Sequence, residues 1–325
     1  MDYELYQKQI IIPKIGEIGQ KKICDSSVLI IGVGGLGCPT LVYLSSMGIG
    51  TIGLVDNDTV DISNLHRQFI YTYKDVGKYK VDCAKIYCSL RNVNTNINVY
   101  QYKLTNKNSL ELLNNYDYIL DCTDNIFSRQ IINDACIILN KQYFFSSAIG
   151  TSGQIGVFNS SNNCACYRCM CCKNINNTCE SSGVLGAIPG IIGNLLALEI
   201  IKTILNYGEK LTSKLLTYDI YQGFYKVSVL KNENCLVCSK NAIINKNNYS
   251  KLDIYTPKCA IKYEYSTNDS NDSIYLNEFD TIDMLFEKYC NNDTKLIFTC
   301  ENKIKSKILV NKLRQFGRNN VWFVI

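Results

Sequence analysis

No Lys/Arg-dense run occurs in this sequence, although its net charge is +5. A protein that tracks a phosphate backbone needs such a run, so nucleic acid is not an expected partner. No uninterrupted apolar run reaches about 18 residues, the length that spans a bilayer. The longest candidate, "GVLGAIPGIIGNLLALEIIK", is interrupted by Pro189, Asn194 and four glycines, so no membrane span is expected. The N-terminus, "MDYELYQKQIII", lacks the basic n-region of a secretory signal and carries charges early. Histidine is nearly absent. The one that occurs, His66, lies between Leu65 and Arg67 and reads as a packing or hydrogen-bonding residue.

Cysteine, by contrast, is abundant. There are 17, an odd number, with no secretory signal. That combination points to a reduced compartment (cytosol, or a plastid stroma for an organellar gene), where clustered cysteines bind metal or do chemistry. Five fall in "CACYRCMCC", residues 164–172. Cys166 and Cys169 form a C-x-x-C pair, and Cys235 and Cys238 form a second. Each short loop can present two thiolates to one ion, and four thiolates make a closed, structural zinc site. Cys164, Cys171 and Cys172 are left over. Cys24, Cys38, Cys83, Cys88, Cys122 and Cys136 lie in apolar or helical contexts and are expected in the core. Cys179, in the polar "NNTCESSGV", precedes a helical stretch and is a candidate nucleophile.

"VLIIGV" (28–33) is a β-branched run ending in glycines, as a strand buried on both faces reads. Helix and strand patterns then alternate through "TIGLVD", "KVDCAKIYCSLRNV", "NINVYQ", "SLELLNN", "YDYILDCT" and "FSRQIINDACIILN". Alternation of this kind predicts an α/β fold, a doubly wound and mostly parallel sheet with ligands at the C-terminal strand ends. "QYFFSSAIG", "SGQIGVFN", "LLTYDI" and "FYKVSVL" read as further strands, and 187–206 as a helix. The polar stretch 241–250 reads as a linker between a domain over 1–240 and a small module over 251–325.

"GVGGLG" (Gly32, Gly34, Gly35, Gly37) follows a strand and opens a helix, which suits phosphate binding. Asp56 ends the next strand, about 20 residues on, where a carboxylate accepts ribose hydroxyls. A nicotinamide-dependent oxidoreductase is the first expectation from these residues. The cations that follow oppose it. Asn64, Arg67 and Lys80 lie just beyond Asp56 and suit a triphosphate with magnesium, which carries about four negative charges. Asp124, at another strand end, is a candidate magnesium ligand.

"YQKQIIIP", "GVGGLGCPTLVYLSSMGIGTIGLVDNDTVDISNLHRQ", "GKYKVD", "DCTDN", "CYRC" and "TCESSGVLGAIPGIIGNLLALEIIK" closely resemble the MoeB/ThiF group, relatives of ubiquitin-activating enzymes. The resemblance covers roughly residues 1–240. It implies ATP-dependent adenylylation of the C-terminal glycine of a small ubiquitin-like sulfur carrier ending in Gly-Gly. The carrier expected is of the molybdopterin synthase small-subunit type, with thiamine-pathway and tRNA-thiolation carriers as alternatives. It further implies that Gly35 lies in the ATP loop and that Asp56 holds the ribose. Asn64, Arg67 and Lys80 would contact the phosphates, and Asp124, with Asn125, would serve the magnesium–nucleotide. A homodimer is implied, with Lys8 entering the partner subunit's ATP site. Lys8 stands where the family has arginine, which keeps the charge and loses the planar fork. A carboxylate attacking an α-phosphate needs no general base, which a chain with one histidine can accommodate. A non-catalytic scaffold that docks ubiquitin-like proteins is the rival from another class.

"KLDIYTPKCAIK", "SIYLNEF" and "LIFTCENKIKSKILVNKLRQFGRNNVWFVI" resemble a degenerate rhodanese domain. Asp253 stands at the family's aspartate position, and Tyr255 replaces its arginine. Cys300 stands where the family carries a persulfide, in a loop without the glycine that a tight backbone cradle favours.

Overall fold

The computed structural model describes residues 2–159, 164–170, 183–240 and 242–251, together with four further strands beyond them. These residues fall into two compact units.

The first unit opens with helices α1 (Tyr3–Ile10) and α2 (Gly16–Cys24). The side chain of Asp2 caps α1 by accepting the N–H of Leu5 at 3.0 Å. Then follow β1 (Ser27–Ile31), α3 (Gly37–Ser46), β2 (Thr51–Val55), α4 (Lys80–Ser89), β3 (Asn96–Tyr100), α5 (Ser109–Asn114), β4 (Tyr118–Asp121) and α6 (Ile126–Ile138). After these come β5 (Tyr143–Ile149), β6 (Ser152–Phe158), α7 (Tyr167–Met170), α8 (Ala187–Ile204), β7 (Lys214–Asp219) and β8 (Gly223–Ser228).

The strands form one sheet in the order β3-β2-β1-β4-β5-β6-β7-β8. β3, β2, β1, β4 and β5 run parallel, and β6, β7 and β8 continue the sheet in antiparallel fashion. The strand order reverses between β1 and β4, which opens a crevice at their C-terminal ends. β1 reads SVLII, with Val28, Leu29, Ile30 and Ile31 buried, as a strand covered on both faces requires.

Pro189 and the glycines do not break α8. Pro189 is its third residue, where the missing N–H has no intrahelical partner to lose. Gly193 lies where a Cβ would meet the Leu36 carbonyl at 2.5 Å, so its bareness lets α8 lie against α3. Among the described residues α8 is the one helix long and apolar enough to cross a membrane, and it packs instead on α3, β5 and β6.

The stretch expected as a linker also folds onto this unit. Ile244 and Tyr249 are buried. The Tyr249 hydroxyl donates to the Ile131 carbonyl of α6 at 2.9 Å and lies 2.9 Å from the Ser109 hydroxyl of α5. Asn106 donates to the Tyr249 carbonyl at 3.0 Å.

The second unit holds β9 (Cys259–Glu264), β10 (Ser273–Leu276), β11 (Lys295–Cys300) and β12 (Val321–Phe323) in the order β10-β9-β11-β12. β9 is antiparallel to both neighbours, and β11 is parallel to β12. Cys300 is the last residue of β11 and pairs in register with Cys259.

Candidate functional site

The candidate nucleotide residues gather at the C-terminal ends of β2, β1 and β4. The four glycines after β1 have two different reasons for being bare. Gly32 has φ +90°, and a Cβ there would meet the Cys122 carbonyl at 2.7 Å. Gly37 would put a Cβ 2.1 Å from the Gly32 carbonyl. These two are demanded by packing. Gly34 and Gly35 are not: a Cβ would meet the Gln68 amide nitrogen at 3.5 Å and the Arg67 stem at 3.3 Å. Side chains, not backbone, border the middle of the loop.

Asp56 ties the loop down. Its Oδ2 accepts the N–H of Val33 at 2.8 Å, and its Oδ1 accepts the N–H of Asp58 at 2.9 Å. Burial pushes the Asp56 carboxyl above the usual carboxylate range, and the Lys80 ammonium opposes this. From the other side, the Tyr71 hydroxyl donates to the Val33 carbonyl at 2.8 Å.

Lys80 starts α4 and is nearly enclosed, with its side chain 6% exposed. Its Nζ pairs with Asp58 Oδ2 at 2.8 Å. Arg67 Nη2 donates to Asn64 Oδ1 at 2.6 Å, and its Nη1 lies 3.4 Å from the Ser63 carbonyl. Its stem lies beside Gly35 and Pro189. His66 is exposed, with Nδ1 3.0 Å from the Ser63 carbonyl and Nε2 3.4 Å from Arg67 Nη1. Its expected role narrows to hydrogen bonding within this turn.

Asp124 is exposed just beyond β4. Asn125 caps α6, its Oδ1 accepting the N–H of Ser128 at 2.9 Å. Asp121, three residues before Asp124, is fully buried and accepts the Thr123 N–H at 2.8 Å and the Thr123 hydroxyl at 2.6 Å. The Tyr143 hydroxyl donates to its other oxygen. Burial raises the Asp121 carboxyl above its ordinary range, and Arg129 pulls it back. "LDCTDN" thus contains one aspartate that builds the turn and one that the turn presents. Lys8 is exposed on α1.

The sulfurs of Cys166, Cys169, Cys235 and Cys238 all lie within 4.8 Å of one another. Individual separations are 3.8 Å (166–169), 3.6 Å (166–235) and 3.3 Å (169–238). Zinc–sulfur bonds of about 2.3 Å in a tetrahedron place sulfurs about 3.8 Å apart, so the donor set fits that ion. Cys38, Cys83, Cys88, Cys122 and Cys136 are buried as expected, whereas Cys24 is only half-buried. Burial pushes the Cys122 thiol up to about 12, as suits an inert core thiol. Cys164 is half-buried. Cys171, Cys172, Cys179, Asp253 and Tyr255 lie outside the described residues.

Several site residues carried no separate signal in the sequence. Asp58, Gln68, Tyr71 and Asp121 all stand inside or beside the quoted motifs, and only their packing shows what they do. Gln68 is 3% exposed, and its Oε1 has no hydrogen-bond partner among the described residues.

The sequence is 38% identical over 316 residues to "Adenylyltransferase and sulfurtransferase MOCS3" of Dictyostelium discoideum, covering 94% of this chain and 73% of that one. It is 41% identical over 264 residues to the protein of the same name in Aedes aegypti, covering 79% of this chain and 59% of that one. The chain spans only 54–59% of the length of several of the curated relatives it matches. Among solved structures, E. coli MccB with ATP is similar at a TM-score of 0.60 and 25% identity, covering 68% of each chain. The ThiF family pattern matches residues 6–237, and the chain belongs to that family.

Proposed function

We propose that the chain adenylylates the C-terminal glycine of a small ubiquitin-like sulfur-carrier protein with ATP. The product is an acyl-adenylate primed for sulfur transfer, and the carrier is of the molybdopterin synthase small-subunit or related tRNA-thiolation type. The observation that carries this reading is the pair of cations at the glycine loop: Lys80 enclosed beside Asp56, and Arg67 laid past Gly35. A nicotinamide dinucleotide has no use for both, and a triphosphate does. The names of the relatives, adenylyltransferase and sulfurtransferase, support the same reading.

The chemistry follows from positioning. A carrier carboxylate oxygen attacks the α-phosphorus, and the bond from that phosphorus to the bridging oxygen breaks, releasing pyrophosphate. The carboxylate is ionised at neutral pH, so no base is required. Arg67, Lys80 and Asn64 stabilise charge on the phosphates, and Asp56 fixes the ribose. Asp124 would hold magnesium, which supplies charge neutralisation when bound, and Asn125 would contact the nucleotide. The chain acts in the cytosol as a homodimer, with Lys8 reaching the partner subunit's phosphates. Zinc held by the four cysteines clips the 164–170 segment to 235–238 and leaves no open coordination position. Residues 251–325 form a rhodanese-like module in which Cys300, at the end of β11, carries sulfane sulfur as a persulfide. Cys179 is the further candidate nucleophile.

Pyrophosphate exchange into ATP, dependent on a carrier ending in Gly-Gly, tests the main reading. Exchange that disappears in Asp124→Ala supports it. No exchange with any carrier would favour the docking scaffold. Thiosulfate sulfurtransferase activity no higher than that of Cys300→Ser would remove the persulfide role.

A further inference from the structure

The C-x-x-C loop is joined to the turn that carries Asp124 by more than the fold's general packing. Arg168, between Cys166 and Cys169, donates from Nε to Asp134 Oδ1 and from Nη2 to Asp134 Oδ2, both at 2.7 Å. This is a planar two-point pair, with Arg168 13% exposed and Asp134 not exposed at all. Asp134 sits on α6, and Asn125 caps the other end of that helix immediately after Asp124. The neighbour of Asp134 makes a second connection. Asn133 Oδ1 accepts the N–H of Tyr167 at 2.8 Å, while its Nδ2 donates to Asp134 Oδ1 at 2.9 Å.

A separate route runs through the sheet. The Tyr167 ring lies 5.2 Å from that of Phe145 and 6.1 Å from that of Tyr143. Tyr143 donates to Asp121, and Asp121 holds both the N–H and the hydroxyl of Thr123. Arg129 of α6 closes the circuit by donating to the Thr123 carbonyl at 2.9 Å, its guanidinium over the Phe145 ring. Thr123 is the residue before Asp124. Arg168 is thus bound to the helix that Asn125 caps, and Tyr167 packs on the rings that lead through Asp121 to Thr123, so both connections run toward the residues on either side of Asp124.

We propose that Arg168 and Tyr167 are positioning residues for Asp124, coupling metal occupancy at the four cysteines to nucleotide binding at the glycine loop. This rests on the function proposed above. A loop that loses its ion loses the constraint that aims Arg168 at Asp134, and α6 with its capped end is then free to shift. Because coupling between two sites is reciprocal, bound nucleotide must also hold the metal more tightly. A coupling that ran only through global stability would survive loss of the Arg168–Asp134 pair, whereas a coupling carried by that pair would not.

The test uses the zinc-loaded full chain and reads zinc affinity by equilibrium competition with a chromogenic chelator, with and without the magnesium complex of a non-hydrolysable ATP analogue. In the wild type, saturating analogue is expected to tighten zinc affinity by about 5-fold or more, the lower end of ordinary coupling. In Asp134→Leu/Arg168→Leu, which removes both charges and leaves neither orphaned, that ratio should fall to about one while the analogue still binds. Arg168→Lys keeps the charge without the fork and should give an intermediate ratio, which guards against a double variant that does not fold. KM for ATP should rise more than kcat falls in Arg168→Lys. A full nucleotide effect on zinc affinity in the double variant would overturn the proposal, and so would analogue binding to the wild type with no change in zinc affinity. An analogue that fails to bind the wild type sinks this inference together with the function it rests on.

Discussion

Asp56 Oδ2 accepts the backbone N–H of Val33 at 2.8 Å, so the end of β2 and the loop after β1 are one hydrogen-bonded piece. The same carboxylate is the expected ribose ligand, and the two duties can be separated. Asp56→Asn keeps an oxygen for Val33 and loses the charge; Asp56→Ala loses both. Hydrogen bonds to charged groups contribute about 1.5–3 kcal/mol, so KM for ATP should rise roughly 10- to 100-fold in the first. The second should also lower the melting temperature. Steady-state pyrophosphate exchange and thermal unfolding measure the two effects.

Protonation of Asp56 gives a prediction with a definite sign. Burial raises its folded value above the ordinary 3.8. The folded chain therefore keeps this proton at a pH where the unfolded chain has lost it. That contribution to stability is fully present below the ordinary value and is lost as pH rises through the folded one. Ribose binding needs the ionised form and runs the opposite way. ATP affinity should weaken on acidification earlier than an ordinary aspartate would allow, and Asp56→Asn should flatten that profile. Titration calorimetry across the acid range would show whether it does.

The glycine loop offers a matched pair of substitutions. Gly32→Ala forces an L residue to φ +90° and drives a Cβ into the Cys122 carbonyl. The conformational cost alone is about 1–2 kcal/mol, and the clash adds to it, so the melting temperature should fall clearly. Gly34→Ala meets only the Gln68 amide at 3.5 Å. The fold should tolerate it, while ATP binding weakens because the phosphates can no longer lie against bare backbone. Equal losses of stability in both variants would show that Gly34, too, is bare for packing.

Lys80 and Asp58 form a lopsided pair, with the ammonium enclosed and the carboxylate 60% exposed. Asp58 holds Lys80 when no phosphate is present, and it competes once one arrives. Asp58→Asn should therefore tighten ATP binding modestly, with little change in turnover. Lys80→Met should cost about 100-fold or more in exchange rate, the scale of losing a preorganised charge at a transition state. A tighter KM for ATP in Asp58→Asn is the informative result.

For the metal, Cys169→Ser or Cys235→Ser should drop zinc from one ion per chain to a small residue. Either change should lower the melting temperature, because binding energy at such a site is folding energy. Cys164→Ser should leave the zinc content intact. Elemental analysis of purified protein distinguishes the cases, and full zinc in Cys169→Ser would mean that the spare cysteines supply a ligand.

Local pattern made the parallel half of the sheet legible. β1, β2, β3, β4 and their helices are short apolar runs alternating with helical spacing, each bounded by turn residues. The candidate nucleotide residues were named from local pattern too: Gly32, Asp56 and Asp124 follow strands, Lys80 starts α4, and Arg67 lies in the turn after Ile62–Asn64. What lay outside local pattern was everything decided by distant packing. Asp121 and Asp124 are three residues apart and chemically alike, and only Tyr143 across the sheet makes one a buried strut. The glycines read as one motif, yet the Cys122 carbonyl separates Gly32 from Gly34. Arg168 reads as a surface cation between two cysteines, and its partner is 34 residues away in sequence. β5–β6 and β7–β8 are joined by short turns, whereas α7 and α8 stand between β6 and β7, so the antiparallel pairing of those two is not a local signal.

Tyr249 has no exposed surface, and its hydroxyl reaches both α5 and α6. A stretch that is polar by composition therefore works as a plug. Its removal would open a ring-sized void beneath the middle of α6, the helix whose capped end follows Asp124. A chain cut near Lys251 is therefore expected to keep this packing, and one cut at Lys240 is expected to lose it. Trimming at the compositional boundary would damage catalysis from behind, with every nucleotide-facing residue still in place.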